Sequence, residues 1–149
     1  MYELDNSINF MLVDDDEIDI KDIQRTFKKN KINNPLHIAT NGVDALNKLL
    51  GINGEKKLTP TPKIIILDIN MPKMNGIEFM KNIRTNKKLK SLLVFILTTS
   101  NSEKDKIDAY NLNAAGYIVK PFQVSEFMEM ISSLHHYWNL LEFPSKSAS

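Results

Sequence analysis

"KIIILDINMPKMNG" (residues 63–76) joins an apolar run to a single acid, Asp68, and then to a turn carrying Pro72 and Gly76. The aliphatic residues from Ile64 to Leu67 do not alternate with polar ones, so they are read as a strand covered on both faces. A carboxylate at the end of such a strand is held at the rim of a sheet. What it does there depends on what the other strands bring to the same rim.

Outward from this stretch, five short apolar runs alternate with five amphipathic segments. The strands are expected at 8–13, 36–40, 63–67, 91–97 and 116–119. The run 91–97, "SLLVFIL", is the most apolar and is expected to be central. Helical spacing of apolar residues predicts helices over 17–30 (Ile20, Ile23, Phe27) and 42–51 (Val43, Leu46, Leu49 and Leu50 inward, Gly51 as the stop). It also predicts helices over 76–86 (Ile77, Met80, Ile83), 102–116 (Ser102 as cap, with Ile107, Tyr110 and Leu112) and 124–141. Residues 52–62 form a polar loop with a prolyl end. Regular β-α alternation argues for a parallel α/β sheet with helices on both faces and right-handed crossovers. Ligands of such sheets sit beyond the carboxyl ends of the strands, near the reversal of strand order.

Composition narrows the function classes. A chain of 149 residues suits one domain, with 42% apolar and 25% charged residues. A net charge of +1 gives no global field for nucleic acid or an anionic membrane. Without cysteine there is neither a disulfide nor a thiolate metal site. No apolar stretch approaches the roughly 18 residues of a membrane span. The N-terminus "MYELDNSINF" has no leader-like basic and apolar regions, so a cytoplasmic location is expected.

The strand ends carry chemistry. Asp14, Asp15, Asp16 and Glu17 follow the first run, and Thr40 and Asn41 follow the second. Asp68 and Asn70 follow the third, Thr98, Thr99 and Ser100 the fourth, and Lys120 and Pro121 the fifth. Asp14, Asp15 and Asp68 crowded together would repel one another unless a cation intervened. Oxygen-only donors favour a hard divalent ion such as magnesium, which leaves positions open for a phosphoryl oxygen. Lys120 and the Thr98 hydroxyl would hold the remaining phosphoryl oxygens, since phosphoryl transfer is chiefly positioning and electrostatics. Asp68 is then the nucleophile that becomes an aspartyl phosphate. Blander readings stand beside these. Asp14–Asp16 precede a helix and would favour its positive end. Thr98 alone reads as satisfying nearby backbone, and Lys120 alone as a solvated lysine. His37, His135 and His136 have no metal-ligand spacing and are read as structural, and the methionines as packing.

"LVDDDE", "ILDINMP", "ILTTS" and "GYIVKPF", in that order, resemble the motifs of the response regulator receiver domain, and "NGVDALNKL" resembles that family's stretch after its second strand. The resemblance covers about residues 8–135. It implies a flavodoxin-like, doubly wound (βα)5 sandwich with strand order 2-1-3-4-5. By position it implies Asp68 as phospho-acceptor. Asp14 and Asp15 would hold magnesium, with the Asn70 backbone carbonyl as a further ligand. Thr98 would be the switch hydroxyl, Lys120 the lysine on the phosphate and Tyr117 the rotating aromatic. The family often places a cis peptide at the position of Lys120–Pro121. Asp16, Asn70 and Thr99 are variants expected to tune phosphoryl lifetime. The receiver domain is placed at 1–141, with 142–149 as a short tail.

In the last helix Val124, Phe127, Ile131, Leu134, Trp138 and Leu141 form one apolar stripe, and Met130, Tyr137 and Leu140 add a second line. Surplus apolar surface implies an interface, so a homodimer through this helix and its neighbouring strand is expected. The extended helix and the loop before the third strand resemble small receivers paired with phytochrome-type and other hybrid histidine kinases.

The expectation is a single-domain response regulator of a two-component phosphorelay. It takes its phosphoryl group from a histidine kinase, catalyses only its own phosphorylation and dephosphorylation, and signals to a downstream protein that the sequence does not name. The alternative is a phosphate-independent receiver that serves as an interaction module. An aspartate-nucleophile phosphatase would carry a second Asp two residues after the nucleophile, where this chain has Asn70. A nucleic-acid-binding output is not expected, because no helix-turn-helix follows the last helix. Neither the P-loop nor the dinucleotide-binding glycine pattern is present.

Overall fold

The computed structural model describes residues 8–144. Readings that concern the first seven residues and the polar end after Pro144 lie outside the described residues. The elements are β1 (Phe10–Val13), α1 (Glu17–Lys29), β2 (Leu36–Ala39), α2 (Gly42–Leu50), β3 (Ile64–Leu67), α3 (Gly76–Thr85), β4 (Leu93–Thr98), α4 (Glu103–Asn111), β5 (Gly116–Val119) and α5 (Val124–Trp138). All five strands are parallel, in the order β2-β1-β3-β4-β5. This is the flavodoxin-like arrangement expected above. The middle strand is β3, and β4 lies one strand in from the β5 edge. β3 is apolar throughout and β4 is apolar as far as Leu97, because helices cover both faces.

Alternate strand residues feed two separate cores. Met11, Val13, Ile65, Leu67, Val94 and Ile96 face α2, α3 and α4, where they meet Ala45, Leu49, Met80, Ile83 and Ala109. Phe10, Leu12, Ile64, Ile66, Phe95 and Leu97 face α1 and α5, where they meet Ile23, Phe27, Phe127, Ile131 and Trp138. The two-residue strand period explains why an uninterrupted apolar run was needed. Trp138 is fully buried, with Phe10, Phe27 and Phe95 ring centroids 5.1, 6.5 and 5.7 Å away. Leu141 and Phe143 pack on the same core, and the Lys63 ammonium lies 5.8 Å over the Phe143 ring.

Helix limits follow local chemistry. Asp16 caps α1 by accepting from the Ile18 N–H at 2.9 Å. Asn41 and Ser102 cap α2 and α4, and Asn75 with Glu78 forms a reciprocal capping box on α3. Gly51 ends α2 in the left-handed region, at φ 67°.

Three expectations are corrected. Val43 faces outward at 37% exposure, because the inward line of α2 is Gly42, Ala45 and Leu49. Ile107 and Tyr110 on α4 are also exposed, and the buried residue of that helix is Ala109. Among the described residues the cis prolyl bond is Thr59–Pro60, not Lys120–Pro121. The small intrinsic difference between prolyl isomers leaves that choice to tertiary surroundings.

Candidate functional site

The reversal of strand order lies between β1 and β3, and their last residues, Val13 and Leu67, are paired in register. Asp14 and Asp68 are therefore the next residues on adjacent strands. The ladder continues through them. The Asp14 N–H donates to the Ala39 carbonyl at 3.0 Å, and the Asp68 N–H donates to the Val13 carbonyl at 2.9 Å. On the other side, Lys120 donates its N–H to the Thr98 carbonyl at 2.8 Å. The backbones of these four residues are held by the sheet itself, which suits a site that must not reorganise.

Asp14, Asp15 and Asp68 come together with carboxylate oxygens within 4.8 Å of one another. Asp14 and Asp68 are buried and Asp15 is exposed. The run Asp14–Asp16 divides between its two readings. Asp16 caps α1, whereas Asp14 and Asp15 turn to Asp68. Asp14 Oδ1 accepts the Asp16 N–H at 2.9 Å, and Asp68 Oδ1 accepts the Ile69 N–H at 2.8 Å. Asn70 lies exposed just beyond Ile69.

Burial pushes the Asp14 carboxyl up to about 6, with Asp68 adding to the rise and Lys120 and the Asp16 N–H opposing it. Burial also raises Asp68, against the pull of Lys120, the Thr98 hydroxyl and the Ile69 N–H. Such a group takes a cation readily, because the cation relieves the cost of buried, mutually repelling charge. Its donors are all oxygen, which fits a hard divalent ion.

Lys120 is buried, with its ammonium 3.1 Å from Asp14 Oδ2 and 3.9 Å from Asp68 Oδ2. Burial alone would lower its pKa, but Asp14, Asp19 and Asp68 together outweigh that and raise it. Its shortest contact is to Asp19 Oδ2, at 2.5 Å. Sequence reasoning missed Asp19. It is the third residue of α1 and reads as an ordinary first-turn acid, and its partner is 101 positions away.

Thr98 is fully buried, and its hydroxyl accepts the Ser100 N–H at 3.2 Å. Tyr117, on the edge strand, donates its hydroxyl to the Ser100 carbonyl at 2.9 Å. The Ser100 hydroxyl in turn donates to Asp105 at 2.6 Å. The β4–α4 loop is thus tied at Ser100 to Thr98, Tyr117 and Asp105. His37, His135 and His136 belong to β2 and α5 and are not part of this group.

The loop after Asp68 is shaped by close backbone approach. The Gly76 N–H donates to the Ile69 carbonyl at 2.8 Å. A Cβ at Gly76 would press on the Asp68 carbonyl oxygen and stand 2.9 Å from Ile69 Cα. Lys73 turns the chain at φ 65°.

Residues 10–132 match the family described as the response regulator receiver domain. Response regulator Rcp1 of Synechocystis sp. is 33% identical over 128 residues, 86% of each chain. The solved structure of Mn2+-bound Rcp1 matches with a TM-score of 0.85 at 31% identity, covering 93% of this chain and 99% of that one. The phosphorylated cyanobacterial phytochrome response regulator RcpA matches with a TM-score of 0.82 at 28% identity, covering 88% and 93%.

Proposed function

The chain belongs to the response regulator receiver domain family of two-component systems, and on that premise we propose that it is a phosphoryl-accepting switch with Asp68 as the acceptor. The observation that carries this reading is the convergence of Asp14, Asp15 and Asp68 at one strand-end rim, with the Lys120 ammonium 3.9 Å from the acceptor.

In the proposed step an Asp68 carboxylate oxygen forms a bond to phosphorus while the phosphorus–nitrogen bond of a kinase phosphohistidine breaks, its electron pair leaving on the imidazole. Asp14, Asp15, Asp68 and the Asn70 carbonyl are the proposed holders of Mg2+, which when bound offsets negative charge on the phosphoryl oxygens. Lys120 and Thr98 attend the same oxygens. Solved relatives support the metal and the kinase class. The Rcp1 structure is described as Mn2+-bound, and RcpA as a phosphorylated phytochrome response regulator. A phytochrome-type or hybrid histidine kinase is accordingly the proposed donor.

The output is a change in partner binding. Movement of Thr98 toward the phosphoryl group would release the Ser100 N–H and so loosen the loop that Tyr117 holds. A homodimer through α5 and β5 is supported by exposed Val119, Tyr137 and Leu140. A molar mass that stays monomeric as concentration rises would discard that part. The chain has no helix long and apolar enough to cross a membrane among its described residues, and the cytoplasm is the proposed location.

The test is intact mass after incubation with Mg2+ and acetyl phosphate, for the native chain and for Asp68→Asn. One phosphoryl group gained by the native chain alone, and only with metal, is the expected result. No gain where a control receiver is labelled would favour the phosphate-independent interaction module.

A further inference from the structure

Three carboxylates surround the Lys120 ammonium at unequal distances. Asp19 Oδ2 is at 2.5 Å, Asp14 Oδ2 at 3.1 Å and Asp68 Oδ2 at 3.9 Å. The two farther ones belong to the group with the geometry for a cation, and the nearest one does not. The Lys120 side chain is only 6% exposed and that of Asp19 20%. A charged pair this short and this shielded is a strong one.

A divalent ion on Asp14, Asp15 and Asp68 would draw Asp14 away from the ammonium and repel the ammonium itself. A buried ammonium left without an anion is costly. Asp19 supplies an anion that the metal does not claim. It can do so because α1 begins directly above the end of β1, with Asp16 as its cap and Asp19 one turn further on.

We infer that Asp19 is a positioning residue for Lys120, anchoring the ammonium beside the acceptor without letting it close on Asp68. The acceptor carboxylate is thereby left open to a cation and to an incoming phosphorus. The ammonium stays near enough to turn toward a phosphoryl oxygen. Without Asp19, the remaining partners of Lys120 in this cluster are Asp14 and Asp68, so the lysine competes with the cation for its own ligands. This inference rests on the reading of the rim as a metal and phosphoryl site.

The experiment follows the Lys120 side-chain ammonium by nitrogen-15 NMR, first without metal and then through a Mg2+ titration, with Mg2+ affinity measured in parallel by calorimetry. The chains are native, Asp19→Asn, Asp19→Glu and Glu17→Gln. The last removes an exposed charge from the same helix turn without touching Lys120. In the native chain the ammonium signal should be protected from exchange and stay so as Mg2+ binds. Asp19→Asn should shift or lose that signal and weaken Mg2+ binding about tenfold, against about twofold for Glu17→Gln. Labelling by acetyl phosphate should need more Mg2+ to reach half of its maximum in Asp19→Asn than in Glu17→Gln. Asp19→Glu should restore both signal and affinity, and carries the test if Asp19→Asn does not fold.

An unaltered Lys120 signal in Asp19→Asn, or an affinity loss no larger than that of Glu17→Gln, would overturn the inference. If the native chain bound no Mg2+, the functional reading would fail, whereas the metal-free spectra would still report on the Asp19 anchor.

Discussion

The ammonium of Lys120 stands 3.9 Å from Asp68 Oδ2, beyond hydrogen-bond reach, while it is bonded to Asp14 at 3.1 Å. The Asp68 carboxylate is attracted by the lysine but not occupied by it. Lys120→Ala should leave the buried carboxylates uncompensated and cost about 2–4 kcal/mol at pH 7.5 without metal. Mg2+ should restore a larger share of stability to this variant than to the native chain. Denaturant midpoints with EDTA and with Mg2+ check this, and a metal-free variant as stable as the native chain would contradict it.

Stability should depend on pH in an unusual direction. Asp14 titrates near 6 in the fold against an ordinary 3.8, and Asp68 is raised as well. The folded chain therefore binds these protons more tightly than the unfolded chain does. Their contribution is fully present below about pH 4 and is lost as pH climbs from about 4 through about 6, by roughly 2–3 kcal/mol for Asp14. Saturating Mg2+ should abolish that loss, and Mg2+ affinity should weaken below about pH 6. Thermal melts across pH 4–7.5 with EDTA and with Mg2+ would show it. Metal-free stability that rises steadily over the window would refute it.

Two glycines should respond differently to the same change. A Cβ at Gly76 meets rigid backbone at Asp68 and Ile69, whereas one at Gly42 meets the flexible Met74 side chain. Gly76→Ala should cost about 1–3 kcal/mol and weaken Mg2+ binding, because the backbone at Asp68 must shift. Gly42→Ala should cost less and leave Mg2+ affinity intact. Chemical denaturation with calorimetry separates the two.

Tyr117→Phe removes the hydrogen bond to the Ser100 carbonyl and leaves the ring in place. The expected cost is about 1 kcal/mol. Amide exchange at Ser100 and Ser102 should speed up more than exchange in β1 or β3. A uniform change across the chain would mean that Tyr117 does not hold the loop locally.

The last helix offers a contrast within two residues. Trp138 is fully buried and Leu140 is 70% exposed. Trp138→Ala should cost about 3–5 kcal/mol and Leu140→Ala no more than about 0.5 kcal/mol. If the α5–β5 face joins two copies, Leu140→Ala should instead weaken association, which the concentration dependence of molar mass reads directly.

The alternation of five strands with five helices was readable because it is written in short-range patterns. Uninterrupted apolar runs marked covered strands, and helical spacing with Ser102 and Gly51 marked helix limits. The strand-end positions of Asp14, Asp15, Asp68, Thr98 and Lys120 follow from those runs, so the composition of the rim was also legible. Strand order was not. It came from resemblance, since periodicity does not say which strand lies beside which.

What the sequence by itself determined, then, is the element succession and the groups delivered to one end of a parallel sheet. Tertiary structure alone decided how those groups pair. It assigned Asp16 to the helix cap and brought Asp14 and Asp15 to Asp68, turned Ile107 and Tyr110 outward, and bonded Lys120 to Asp19 across 101 positions. The physical reason is range. Caps, strand periods and helix faces depend on residues within a few positions of one another, whereas a buried ammonium settles among whatever anions the ends of β1 and β3 and the first turn of α1 place around it.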